Sequence, residues 1–165
     1  MGEQKIVGAS SKDKNRILLT WALVSMGVHL AELRHFWARA LGVSGTQWLI
    51  LTALFELDQE GDGVPVNAVS KKTLVQSNFV TTQSKILEKK GLLRRRRSGD
   101  DARIVQLSLT DRAYKALATL SSRHESLNEF IFAELNERQL EELTNALTSL
   151  DNRFQKAGLK LLVGI

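Results

Sequence analysis

The chain has 165 residues, 43% of them hydrophobic, and a formal net charge of +5, enough to bury one core in a single compact unit. With no cysteine, disulfides, thiolate metal ligands and cysteine nucleophiles or redox sensors are excluded. No stretch approaches the roughly 18 consecutive apolar residues a membrane span needs, and the first dozen lack the apolar core of a secretory signal, so a cytoplasmic protein with no membrane partner is expected.

From Asp13 to about Leu41 there is no proline and one glycine. Ile17, Trp21, Val24, Val28 and His35 recur near helical spacing, with Leu18, Ala22, Ser25, His29 and Phe36 beside them, which predicts a long helix with a broad apolar surface. Such a helix needs cover on more than one side, and in a short chain a second copy supplies it most easily. Ser44-Gly45-Thr46-Gln47 has the form of a capping box, and Trp48, Leu51, Leu54 and Phe55 follow as the stripe of a second helix reaching about Gln59. Gly61-Asp62-Gly63 breaks it, and Val64-Pro65-Val66 is long enough only for a strand stub or a turn.

Asn67 to Lys72 and Ser77 to Lys90 predict two short helices around a turn at Thr73 to Gln76, the second starting at Ser77 as N-cap and ending before Gly91. This is a helix-turn-helix pattern. In the second helix Phe79, Val80, Gln83, Ile86 and Leu87 are expected to face inward, leaving Asn78, Thr81, Thr82 and Lys85 on the opposite side. Leu92-Leu93 and Ile104 to Leu109 have strand character around a polar turn from Arg97 to Arg103, the pattern of a β-hairpin wing. Thr110 caps a long helix from Asp111 to about Ala133 that carries Tyr114, Leu117, His124, Leu127 and Ile131. Asn136 to Gln139 form another capping box, with Leu135 and Leu140 as a staple, and Leu140, Leu143, Leu147, Leu150 and Phe154 then make a narrow seam. The expected fold is mainly α with a small β-hairpin: a winged helix-turn-helix lobe over 44–110 between helical flanks at 11–42 and 111–160.

Charge follows the same division. Val64 to Arg112 holds eleven Lys and Arg against four Asp and Glu, a net +7, while the rest of the chain is −2, so a polyanionic partner is expected at the lobe. The run Arg94 to Arg97 is either a solvated face or a phosphate-contacting one, and in a strand alternate members face opposite sides.

At Leu87-Glu88-Lys89-Lys90-Gly91-Leu92-Leu93, followed by Arg95-Arg96, Asp100-Asp101-Ala102-Arg103 and Leu107-Ser108-Leu109-Thr110, the chain resembles the MarR family of bacterial regulators, with Gln47-Trp48 similar to a pair the family often carries. Ala113 stands where a Gly is frequent, and Arg97 where a Pro is common. The resemblance implies one MarR-like domain over 1–165 and a homodimer in which the first helix and the last two interlock. It also implies two lobes over a pseudo-palindromic double-stranded operator, and repression as the commoner outcome. On that reading Ser77, Asn78, Thr81, Thr82 and Lys85 serve the major groove and nearby phosphates, and Arg95, Arg96 and Arg97 mostly the backbone. Asp101 and Arg103 are either a surface ion pair or, as the family position implies, an acid that aims a minor-groove arginine.

Trp21, Trp37 and Trp48 are either core and dimer packing or part of an effector pocket, since many MarR-like regulators bind small aromatic acids. The candidates for such a pocket, for an aromatic acid or its thioester, are Trp21, His29, Arg34, His35 and Trp48. His29 and His35 lie six apart, on different helical faces, so no metal site is expected with His124 or otherwise. No phosphate-binding glycine loop, nucleophile motif or metal cluster appears, so neither catalysis nor a cofactor is expected. The alternative is a winged helix that binds protein or single-stranded nucleic acid; exposed aromatics would favour the latter, whereas Asn, Thr and Lys favour duplex DNA.

Overall fold

In the computed structural model, residues 11–58, 61–99, 101 and 103–164 are described. The leader reading of the first ten residues, the end of the second helix at Gln59, and Asp100 and Ala102 of the wing turn lie outside them. The chain divides into two compact units, residues 1–120 and 121–165.

Helix α1 (Ser11–Ala40) has 30 residues. Its apolar residues are spread around the axis, and among its described residues only Trp37 and Ala38 near its end are buried; Trp21, at 67% exposed, is typical of its apolar residues. Over Asp13–Ala40 the hydropathy reaches 1.3, so by length and composition alone this helix could cross a membrane. That corrects the expectation that no stretch approaches a span: isolated polar residues such as Thr20, Ser25 and His29 interrupt the apolar run without lowering its average enough.

Helix α2 (Gly45–Leu57) starts from the expected capping box: the Ser44 hydroxyl accepts the Gln47 N–H at 3.2 Å, and Gln47 Oε1 accepts the Ser44 N–H at 3.1 Å. Ile50, Leu51 and Leu54 are fully buried. Strand β1 (Val64–Pro65) leads into α3 (Val66–Thr73) and α4 (Ser77–Lys89). Leu74, at φ 56°, turns the chain out of α3, and Gly91, at φ 68°, ends α4 as the sequence predicts. The Leu92 N–H then donates to the Leu87 carbonyl at 3.0 Å, closing the helix end.

Strands β2 (Leu93–Arg97) and β3 (Val105–Leu109) pair antiparallel, with β1 on the far side of β3. The wing is therefore a three-stranded sheet, and all four arginines from Arg94 to Arg97 lie within β2. Pairing with β3 carries the strand through Arg97, which stands opposite Val105. The lobe's core is Leu51, Leu54, Val69, Val80, Leu87, Leu93 and Leu107, each at most 2% exposed.

Helix α5 (Asp111–Phe132) begins at a cap that also serves α4: the Thr110 hydroxyl accepts the Ala113 N–H at 3.2 Å and donates to the Gly91 carbonyl at 2.9 Å. Ala113 and Leu117 are buried in the first unit. In the second unit, α6 (Glu137–Leu162) starts from the Asn136–Gln139 capping box. Along its seam Leu147 and Leu150 are half-buried, while Leu140, Leu143 and Phe154 are exposed.

Candidate nucleic-acid interface

Recognition chemistry in α4 depends on which polar atoms the helix leaves free. The Thr81 hydroxyl donates to the Ser77 carbonyl at 2.8 Å, and that of Thr82 to the Asn78 carbonyl at 3.0 Å. Both protons are thus used within the helix, and each oxygen keeps acceptor capacity toward solvent. Asn78 complements them: its Oδ1 accepts the Phe79 N–H at 2.7 Å, which leaves the NH₂ group as donor. Lys85 is exposed. One face therefore offers acceptors, an amide donor and a cation.

Three details of α4 differ from the sequence expectation. Gln76, not Ser77, occupies the N-cap, without a side-chain cap bond, so Ser77 is the first helical residue. The buried side is Val80, Ser84 and Leu87, with Gln83 partly covered, while Phe79 and Ile86 are 46% and 38% exposed on the flank. Ser84 sits in the core because its hydroxyl donates to the Thr81 carbonyl at 2.9 Å, meeting its polar requirement inside the helix.

In the wing, the register puts Arg95 opposite Leu107 and Arg96 opposite Gln106. Arg95 is half-buried, its N–H donates to Glu88 Oε1 at 3.2 Å, and its Nε is buried with no hydrogen-bond partner. Arg96 and Arg97 are exposed, and Arg94 lies 3.7 Å from the Asp111 carboxylate. Asp101 acts on the backbone: its Oδ1 accepts the Arg103 N–H at 2.9 Å, and its carbonyl accepts the Ile104 N–H at 2.9 Å. The carboxylate thus fixes the turn that carries Arg103. Arg103, Ser77, Thr81 and Asn67 line one cleft of about 290 Å³, which joins the wing to the start of α4.

The sequence model of the MarR family matches residues 43–105. The winged-helix lobe belongs to the MarR family. The chain is 28% identical over 148 residues to the transcriptional repressor MprA of Escherichia coli K12, covering 88% of this chain and 83% of that protein. Its fold is that of a MepR–DNA complex from Staphylococcus aureus (TM-score 0.70, 18% identity, 82% of this chain and 97% of that one). It is likewise that of the regulator PcaV from Streptomyces coelicolor with its natural ligand (TM-score 0.58, 18% identity, 77% and 89%). The family is one of transcriptional regulators, not enzymes.

Around this MarR-like lobe the effector candidates do not converge. Trp48 is buried at 8% exposure, while Trp21 is exposed on α1. The 14 residues from Trp21 to His35 span about 21 Å of helix. Arg34 and His35, in contrast, meet the start of α2: a Cβ on Gly45 would stand 2.8 Å from the His35 ring and 3.3 Å from Arg34 Nε. Arg34 Nε is buried without a hydrogen-bond partner. His35, Glu32, Val43 and Ser44 line a shallow cleft of about 520 Å³ there. Among the described residues, no group of three or more His, Asp or Glu could hold a metal ion.

Sequence reasoning missed Asn67 as a neighbour of Arg103, the buried Ser84, and a hydrogen bond from Gln47 Nε2 to Gln83 Oε1 at 2.9 Å. Only Gln47 carried a signal, and its capping role accounted for it.

Proposed function

We propose that this MarR-family chain is one functional domain and a homodimeric, cytoplasmic, sequence-specific repressor that binds a double-stranded operator and is released by a small aromatic acid or thioester. The cleft that Arg103 shares with Ser77 and Thr81 carries the DNA reading. A cation that lines the same cleft as the polar residues at the start of α4 suits a duplex whose major groove takes that helix while its backbone passes the wing. Asn78, Thr81, Thr82 and Lys85 read bases and their phosphates. Exposed Arg96 and Arg97 hold the backbone more strongly than half-buried Arg95, and Asp101 aims Arg103 through its backbone amide. The dimer covers the apolar sides of α1 and the α6 seam.

The test is operator binding and melting of four variants. Asn78→Ala and Thr81→Ala should cost about 1 to 3 kcal/mol on the preferred duplex and relax discrimination at particular base pairs, with little effect on nonspecific affinity. Arg103→Ala should weaken both kinds of binding and blunt any A·T preference where the minor groove narrows, with Asp101→Ala a milder copy. Parent-like binding by Arg103→Ala, or loss of binding only through unfolding, would remove the wing assignment. On α4 itself Phe79 is the single aromatic, too few for a stacking platform, so a single-stranded competitor should displace duplex poorly.

The effector reading rests on the corner cleft lined by His35 and Gly45, next to which Arg34 Nε is buried without a hydrogen-bond partner. A panel of aromatic acids and thioesters should raise the melting temperature and weaken operator binding together, since a ligand shifts an equilibrium only by its differential affinity. A panel that does neither removes this class of effector.

A further inference from the structure

Gln47 is buried at 5% exposure, a low value for a polar side chain, and its carboxamide is used in two directions. Its Oε1 accepts the Ser44 N–H at 3.1 Å and lies 3.4 Å from Nζ of Lys90, while its Nε2 donates to Gln83 Oε1 at 2.9 Å. Lys90 Nζ also donates to the Gly42 carbonyl at 2.7 Å. Gln47 therefore ties Ser44, at the start of α2, to Gln83 in the middle of α4 and to Lys90 at its C-cap, and Lys90 in turn reaches the Gly42 carbonyl of the α1–α2 turn.

Capping alone does not call for this. Gln139 closes the same box on α6, with bonds of 3.0 and 2.9 Å to Asn136, yet it is exposed and has no further side-chain bond among the described residues. Buried hydrogen bonds are directional and costly to leave half-made, so a carboxamide held at both ends resists rotation of one helix against the other.

We propose that Gln47 is a positioning residue that sets the angle of the recognition helix against the α1–α2 corner, so that a change at the corner is passed to α4 as a change in operator discrimination. The proposal rests on the DNA-binding reading above. The corner it starts from is also the wall of the cleft lined by His35, Val43, Ser44 and Gly45. A ligand there would touch the Ser44 end of the same network.

The test uses Gln47→Glu, which keeps the acceptor for Ser44 and Lys90 but cannot donate to Gln83, and Gln83→Ala, which removes the acceptor from the other side. The chain has no cysteine, so cysteines placed at Arg39 and Lys89 carry spin labels at those sites alone. Pulsed EPR of labelled chain diluted into excess unlabelled chain then reads the distance from the corner to α4 without DNA. Both variants should shift or broaden that distribution while melting cooperatively. On a duplex selected by the parent from a random pool, each should lower the ratio of specific to nonspecific affinity about tenfold, the scale of one buried hydrogen bond lost with its partner unmet. The salt dependence should not change, because no phosphate contact is removed. The double variant should be no worse than the single ones, since they break one link.

A parent-like distance distribution in the folded variants overturns the proposal, as does a parent-like affinity ratio. If the distances move but the parent itself does not discriminate between duplexes, the DNA reading fails and the mechanical role of Gln47 stands.

Discussion

Helices α1 and α2 are both apolar, join at the Gly42 turn, and have opposite fates. In α2, seven of 13 residues are buried, because α1, α3, α4 and β3 all pack on it. In α1, 30 residues long, burial among the described residues is confined to Trp37 and Ala38, where it meets α2. Hydrophobicity alone thus does not decide burial; what matters is whether the chain supplies a neighbour for each face. A long helix with Leu18, Trp21, Leu30 and Phe36 all more than half exposed leaves far more apolar surface than scattered exposed residues would. The dimer proposed above gives that surface a partner.

The largest effect should come from charging α1. Trp21→Glu or Val24→Lys should weaken association about a hundredfold or more, because each apolar side chain withdrawn from water is worth roughly 1.5–3 kcal/mol and a buried charge adds to the loss. Light scattering at low micromolar concentration should then show monomer or aggregate; an undisturbed dimer would mean that this face is not the interface.

In α2 the effect is on folding instead. Leu51, fully buried, should lose about 2–5 kcal/mol of stability as Leu51→Ala, measured by urea unfolding. A loss below about 1 kcal/mol would place Leu51 outside the core and erase the contrast with α1.

Ser44 tests the joint between the two helices. Removing its side chain takes an acceptor from the Gln47 N–H, and Ser44→Ala should cost about 1 kcal/mol. Asn136→Ala, which removes the matching cap of α6, should cost about the same in the second unit; a much larger loss at Ser44 would mean that its capping box also supports the Gln47 network.

The smallest effect should be at Lys72, whose Nζ is 2.8 Å from the Glu56 carboxylate with both side chains at least half exposed. Lys72→Met should change stability by less than about 1 kcal/mol, since exposed ion pairs contribute little. Differential scanning calorimetry with a larger loss would show that α2 and α3 are held by more than their apolar contact.

Features set by short-range hydrogen bonds were legible from residue types. Both capping boxes and the Thr110 cap follow from side chains that meet backbone groups within three or four positions, and the left-handed Gly91 from its missing Cβ. The helix-turn-helix order and the wing followed from changes in apolar period. On α4 the pattern identified the polar face but misplaced its edge: Phe79 and Ile86 stand on the exposed flank while Ser84 lies inside. Periodicity locates a face to within a residue or so, and the packing of α2, α3 and β2 selects the side chains that fit. The effector residues were the least legible, because Trp21 and Trp48 are alike in type and differ only in where the fold puts them.

The sequence by itself determined which segments become helices and strands, where each begins and ends to within a few residues, and that basic charge collects on the lobe. These depend on local propensity, capping and alternation, all written in neighbouring positions. Only the tertiary structure decided that Arg103 stands beside Ser77 and Thr81, that Arg95 turns partly inward, and that Gln47 reaches Gln83, 36 positions away. Those contacts join residues far apart in the chain, and no local rule specifies them, because they exist only once the core has fixed the helices and the sheet against one another.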